Sequence, residues 1–171
     1  MIAMVSWHML DPIAILYALL LLGTANGTPV VARKLLKDRF AAPIDGGITL
    51  PDGQPLFGPS KTVRGLALSI ATTTLAALLL GFDWSTGAIF AAVSLSGDLL
   101  SSFTKRRLGM VVHAQAFGLD QIPEALLPLL LLRVSLEMSA AGIAVTVAAF
   151  IILELVLSRI LFSLHIRDRP Y

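Results

Sequence analysis

The hydrophobic residues of this chain fall into blocks. Five stretches, Pro12–Val31, Gly65–Phe82, Thr86–Phe103, Leu119–Leu136 and Ser139–Ser158, are almost wholly apolar. Each comes close to the roughly 20 helical residues that cross a hydrocarbon layer about 30 Å thick. The first two hold no charge, the third only Asp98, the fifth only Glu154, and the fourth Asp120, Glu124 and Arg133. Lipid offers no partner to an open strand edge, so helices are the default for such segments. The pattern predicts an all-α polytopic membrane protein, a bundle of five transmembrane helices forming a single domain over residues 1–171.

The charged residues orient that bundle. Twelve of the 13 Lys and Arg follow segment one (Arg33, Lys34, Lys37, Arg39), precede segment two (Lys61, Arg64), follow segment three (Lys105, Arg106, Arg107) or close the chain (Arg159, Arg167, Arg169). The opposite connections, Asp83-Trp84-Ser85 and Glu137-Met138, are short and acidic. The positive-inside rule then puts the N-terminus outside and the C-terminus in the cytoplasm, with two long cytoplasmic loops at about 33–64 and 104–118. The expected location is the cytoplasmic membrane. Asp11 stands before segment one where a signal peptide would carry basic residues, so that segment is expected to stay in the mature protein.

Composition agrees and narrows the chemistry. The chain has 171 residues, of which 56% are hydrophobic and 14% charged, with a mean hydropathy of +0.84. A soluble domain carries about 25% charged residues. A net charge of +2 gives no nucleic-acid signature, and the absence of cysteine excludes disulfides, thiolate zinc sites and thiol nucleophiles. His8, His113 and His165 are too scattered to suggest zinc.

An ionisable group inside a span costs roughly 2.5–3.5 kcal/mol on insertion scales, so each asks for a reason. Asp98, Asp120, Glu124 and Glu154, together with Asn26, all fall in the cytoplasmic half, where four helices could line one polar pocket. Asp98, Ser101, Ser102 and Lys105 stand at i, i+3, i+4 and i+7, one helix face, and Asp120 and Glu124 share another at i, i+4. Carboxylates with hydroxyls and water suit Mg²⁺, a hard ion preferring oxygen. The plainer alternative is that Asp98 pairs with a Lys or Arg and only fixes helix packing.

Loop one ends in Gly58-Pro59-Ser60-Lys61-Thr62-Val63-Arg64-Gly65 at a helix start. Unpaired N–H groups, the positive helix end, two cations and a hydroxyl there suit phosphate. It is not a Walker A loop, because Ser60 replaces the Gly before the Lys. Alternatively Ser60 or Thr62 is a plain helix cap, Lys61 and Arg64 are membrane-surface anchors, and Lys105-Arg106-Arg107 is a stop-transfer cluster. Acids beside two cationic clusters at the cytoplasmic interface suit phosphoryl or nucleotidyl transfer between a polyphosphate and a lipid.

Several stretches resemble one family. Asp52-Gly53-Gln54-Pro55-Leu56-Phe57-Gly58 with Lys61-Thr62-x-Arg64-Gly65, then Gly97-Asp98-x-x-Ser101-x-Phe103-x-Lys105-Arg106-Arg107, then Gly118-x-Asp120-Gln121-x-Pro123-Glu124 are similar to the CDP-archaeol synthases. So are Asn26-Gly27-x-Pro29 and the ending His165-x-Arg167-Asp168-x-Pro170-Tyr171. The resemblance runs in order through nearly the whole chain, and Ser101 to Asp120 is distantly similar to the CDP-diacylglycerol synthases. It implies a membrane cytidylyltransferase that joins CTP to a lipid phosphate, releasing pyrophosphate, with Mg²⁺ as cofactor. The roles expected are Asp98, Asp120 and Glu124 for metal, and Lys61, Arg64, Lys105 and Arg106 for the phosphates of both substrates. Asn26, Thr62 and Ser101 are expected to position substrate. Asp98, Asp120 and Lys105 are the expected catalytic set.

Two other readings are open. An ester-lipid CDP-diacylglycerol-type synthase would meet the tails with the same generic apolar surface. A small transporter would place carboxylates near the midplane or in both halves, whereas here one half is bare apart from Arg133. The Asp-Gly-x-x-Ala-Arg pattern of CDP-alcohol phosphotransferases is absent after Asp45-Gly46-Gly47.

Overall fold

A computed structural model describes residues 10–111 and 116–163. Among them are five helices: α1 (Pro12–Leu36), α2 (Val63–Leu79), α3 (Trp84–Arg107), α4 (Gln121–Leu131) and α5 (Ala140–Ser163). The C-terminal motif from His165 to Tyr171, with Arg167 and Arg169, lies outside the described residues, as do His8 and His113.

The helices start where local chemistry satisfies their free N–H groups. The Asp11 carboxylate accepts from the amides of Ile13 (2.8 Å) and Ala14 (3.3 Å), with Pro12 at the first helical position. Thr62 caps α2 through the Gly65 amide at 3.3 Å. Pro29 inside α1 cannot donate to the Ala25 carbonyl, and the freed oxygen takes the hydroxyl of Ser69 on α2 instead.

Three helices are long and apolar enough to cross a membrane: α1, α3 and α5 over Ala140–Ile160. The chain is an integral membrane protein by that measure. At 17 and 11 residues, α2 and α4 rise only about 25 and 16 Å. The span expected over Leu119–Leu136 is therefore helical only from Gln121 to Leu131. Beyond it the chain continues in turns, with Leu136 N–H on the Leu132 carbonyl and Met138 N–H on Arg133. Arg133 Nε reaches the Met138 carbonyl at 3.1 Å, and Glu137 takes φ +51°.

Two cationic clusters expected in loops are instead helical. α1 runs on through Arg33 and Lys34, and α3 through Lys105, Arg106 and Arg107. Cations there complement the negative helix end.

α3 is the centre of the bundle, packed on α1, α2 and α4. Half of its most apolar stretch is buried, against 22% for α1 and α5. Its inner face, Gly87, Phe90, Ser94, Gly97 and Ser101, is mostly small residues, which let backbones approach closely. An added Cβ on Gly97 would stand 2.5 Å from the Pro123 carbonyl carbon and oxygen of α4, and one on Gly87 would stand 2.6 Å from Ala77 Cβ of α2. Leu21, Leu22, Phe90 and Leu129 form the apolar core. Leu16, Leu20, Leu75, Leu79, Ile152 and Leu153 face outward, where lipid would cover them.

The connection between α1 and α2 folds back on itself. Pro43 pairs with Thr62 and Thr49 with Pro55 in isolated antiparallel bridges, and the Ile44 amide donates to the Lys61 carbonyl at 2.8 Å. Asp45 organises this loop, accepting the amides of Gly47 (3.0 Å), Phe57 (2.9 Å) and Gly58 (3.3 Å). Gly46, Gly47 and Gly58 all have positive φ, which lets the amides turn inward without steric cost. Arg107 ties the far end of the loop to α3. It pairs with Asp52, donates to the carbonyls of Pro55 (2.8 Å) and Gln54 (3.3 Å), and lies over the Phe103 ring.

Candidate active site

A cavity of about 360 Å³ opens where the end of α1, the start of α2 and the middle of α3 meet the folded loop. Four cations, Arg33, Lys37, Lys61 and Arg64, line it with two carboxylates, Asp38 and Asp98. Thr62, Ser60 and Gly65 add the α2 start to its wall. The α2 N-terminus with Lys61, Thr62 and Arg64 is thus on a cavity.

Across that wall Lys61 Nζ bonds both oxygens of Asp98, at 2.7 and 2.5 Å, with each side chain about a quarter exposed. Arg64 is buried and donates to the Arg39 carbonyl.

The other expected site residues sit beside α4. Lys105 Nζ pairs with Asp120 Oδ1 at 2.6 Å, and Asp120 Oδ2 accepts the Ala116 amide at 3.0 Å. Ser101 is buried and donates to the Leu119 carbonyl at 2.5 Å, fixing the turn that carries Asp120. Arg106 is buried and donates to the Val111 carbonyl at 3.1 Å. Asn26 donates to Ser94 Oγ at 3.2 Å, tying α1 to α3.

Glu124 is buried on α4, next to the close approach of Gly97, and feels the charges of Asp98, Glu154, Lys61 and Asp120. Acids of α3 and α5 thus lie within electrostatic reach of Glu124 on α4. Among the described residues, however, no three Asp, Glu or His side chains lie close enough to hold a metal ion. Asp98 and Asp120 each face a lysine instead.

Two features were not read from sequence as site features. Arg33 and Lys37 served there only as orientation signals, yet with Pro29 they stand at i, i+4 and i+8, one face of a helix longer than its apolar run. Asp45 was read only as part of an absent pattern. Burial opposes its ionisation, but the amides of Phe57, Gly47 and Gly58 outweigh that and hold its carboxyl below the usual aspartate value. The Gln54 amide, and then Arg107, lower that of Asp52.

An apolar helical bundle with a cation-lined, carboxylate-walled cavity at its helix ends has the build of an intramembrane enzyme for phosphorylated substrates. The chain is 36% identical over 121 residues to the CDP-archaeol synthase of Hyperthermus butylicus, covering 67% of this chain and 69% of that one. To the CDP-archaeol synthase of Sulfurisphaera tokodaii it is 31% identical over 166 residues, 92% of this chain and 95% of the relative. It belongs to the CDP-archaeol synthase family. A solved structure of an intramembrane enzyme for archaeal membrane lipids biosynthesis superposes with a TM-score of 0.66 and 33% identity, over 83% of this chain and 90% of that one. No family model matches.

Proposed function

We infer that this chain is a membrane cytidylyltransferase: it condenses CTP with an archaeal ether-lipid phosphate to give CDP-archaeol and pyrophosphate. The carrying observation is the cavity itself, in which four cations and the α2 start surround one open space at the helix ends. In the transfer, an oxygen of the lipid phosphate attacks the α-phosphorus of CTP. The bond from that phosphorus to the bridging oxygen breaks, and pyrophosphate leaves with the electron pair. The attacking group is itself an anion, so no protein nucleophile is required, and catalysis rests on positioning and charge neutralisation.

The residues divide accordingly. Lys61 and Thr62 at the α2 start, with Lys105 beyond Asp98, hold the triphosphate. Arg64 and Arg106 are spent on loop carbonyls and shape the walls. Asn26 and Ser101 fix α1 and the Asp120 turn against α3. Mg²⁺ fits the donor set, because that ion needs only one or two carboxylates and takes its remaining positions from water and substrate phosphates. Asp98 and Asp120 would hold it, with Glu124 behind them, and it would neutralise charge on the triphosphate. Lys61 and Lys105, paired with these acids, keep them oriented.

In the membrane, α1, α3 and α5 cross fully and α2 and α4, with the turns that extend them, complete the bundle, with the N-terminus outside and the C-terminus and cavity on the cytoplasmic side of the cell membrane. CTP is available only there, and 12 of the 13 basic residues fall at that end. The test is purified protein in detergent with Mg²⁺, labelled CTP and a panel of ether- and ester-linked lipid phosphates. CDP-lipid and pyrophosphate should form in equal amounts, with preference for the ether lipid. Lys61→Ala should weaken CTP binding by about 1.5–3 kcal/mol, the scale of charge-assisted hydrogen bonds. Unchanged CTP affinity would leave the α2 start as a membrane anchor only.

A further inference from the structure

Asp120 stands at the N-cap of α4, where an aspartate ordinarily accepts an amide of the first helical turn. Its side chain makes no such bond. Oδ1 faces Lys105 at 2.6 Å and Oδ2 takes the Ala116 amide at 3.0 Å, so the carboxylate is turned back from the helix that it begins. The hydrogen bonding of this turn falls to the next residue instead. Gln121 is buried, and its Oε1 reaches back three residues to accept the Gly118 amide at 2.9 Å, the reach of a capping box.

Gly118 is the point of the turn that needs such a hold. Its φ is +80°, a conformation that glycine enters at no steric cost and leaves as readily. An added Cβ there would meet only Ile122 Cδ1, at 3.6 Å, so packing does not lock the backbone at this residue. The Gly118 carbonyl takes the Ile122 amide at 2.9 Å, and the Asp120 amide donates to the Ala116 carbonyl at 3.0 Å. Ser101 holds the Leu119 carbonyl from α3. The bond to Gln121 fixes the remaining peptide, between Phe117 and Gly118, two residues before the acid. Burial of an amide side chain is costly unless its hydrogen bonds are made, and this side chain makes its bond to the one hinge in the turn.

We propose that Gln121 is the positioning residue of Asp120: by fixing the glycine hinge at 118 it aims the carboxylate at the place where Mg²⁺ is held. The assignment rests on the reading of Asp120 given above. The experiment uses the full chain in detergent. Two quantities are measured: the Mg²⁺ concentration that gives half-maximal turnover of CTP and digeranylgeranylglycerol phosphate, and the rise in Tm produced by Mg²⁺ alone. The second needs no turnover.

Gln121→Leu removes the acceptor at similar volume, and Gln121→Asn keeps the amide but is one methylene too short for Gly118. Each should raise the Mg²⁺ requirement by about tenfold or more, the scale of losing an outer partner of a metal ligand. Each should also at least halve the rise in Tm, and leave the CTP KM at saturating Mg²⁺ within about twofold. Gln121→Glu, which keeps an acceptor at full length, should not raise the requirement by more than about twofold. Leu129→Ala, in the apolar core of the same helix, should lower Tm and leave the Mg²⁺ requirement unchanged. If Gln121→Leu and Gln121→Asn lower Tm alone, as Leu129→Ala does, Gln121 is a plain helix cap and the proposal is overturned. It is overturned equally if Gln121→Glu fails as they do, or if Leu129→Ala shifts the Mg²⁺ requirement as far. Should Gln121→Leu not fold, Gln121→Asn and Gln121→Glu decide between them. A parent protein that makes no CDP-lipid sinks the transfer reading, while the Tm series still decides the role of Gln121; a parent whose Tm does not respond to Mg²⁺ overturns the proposal itself.

Discussion

Gly97 is where packing and chemistry meet most tightly. Its built Cβ would lie 2.5 Å from the carbonyl carbon and oxygen of Pro123 and 2.7 Å from the Glu124 nitrogen, all backbone atoms that cannot swing aside. Ordinary contact starts at about 3.4 Å, so Gly97→Ala must push α3 and α4 apart by about 1 Å. Overpacking of this kind costs about 1–3 kcal/mol. The larger effect is on function, because Asp98 is the next residue and the Lys105–Asp120 pair spans the same two elements. A misplacement of about 1 Å can cost a hundredfold in rate. Thermal unfolding and steady-state turnover in the same detergent give both numbers. Gly23→Ala in α1, which would meet nothing within 4 Å, is the control and should stabilise by about 0.5–1 kcal/mol, as Ala does over Gly inside a helix. A Gly97→Ala protein with parental Tm and turnover would refute the claim that this contact sets the spacing of the acids.

Asp98→Asn should cost about 1 kcal/mol, since its pair with Lys61 is about a quarter exposed, while turnover falls by orders of magnitude; near-parental turnover would remove Asp98 from the site. Asp45→Asn should loosen the loop and raise the CTP KM through Lys61, whose carbonyl the loop holds, and an unchanged KM would sever that link. Because the folded carboxyl of Asp45 ionises below the ordinary 3.8, its contribution to stability is complete above that pH and lost as pH falls through the lower folded value. The Tm gap between parent and Asp45→Asn should therefore be constant from pH 7 to 5 and close only below about 4; a gap that closes on the alkaline side would reverse the sign. In a chain with no cysteine, a Cys at Ser85 should react with an impermeant thiol reagent in intact cells and one at Gln54 only after lysis, and the opposite labelling would invert the orientation.

The sequence by itself determined that the chain is helical and membrane-embedded, because the apolar blocks are a local property: any 18 such residues have one low-energy solution in lipid. It also marked Lys61 and Thr62 at a helix start, and Asp98 on one face with Lys105, as candidates for one polar site, since a hydroxyl and cations at a helix start and an intramembrane carboxylate each need a partner. The family resemblance lay in short strings such as Gly97-Asp98 and Asp120-Gln121 and was equally legible. Helix ends were less so. α4 stops at Leu131 and α1 continues to Leu36 because turn hydrogen bonds and helix-end charges, rather than hydropathy, set those limits. Only the tertiary structure decided which cation meets which acid. Lys61 and Asp98 are 37 residues apart, and Arg107 and Asp52 are 55 apart; both pairings depend on how the folded loop lies along α3, which no local pattern encodes. The same holds for Arg33 and Lys37. In sequence they are four residues from each other at the end of a span and read as orientation signals; they face a cavity only because Pro29 frees the Ala25 carbonyl for Ser69 and α1 and α2 pack together there. Close packing of small residues fixes distances between helices, and it is those distances that turn scattered charges into a site.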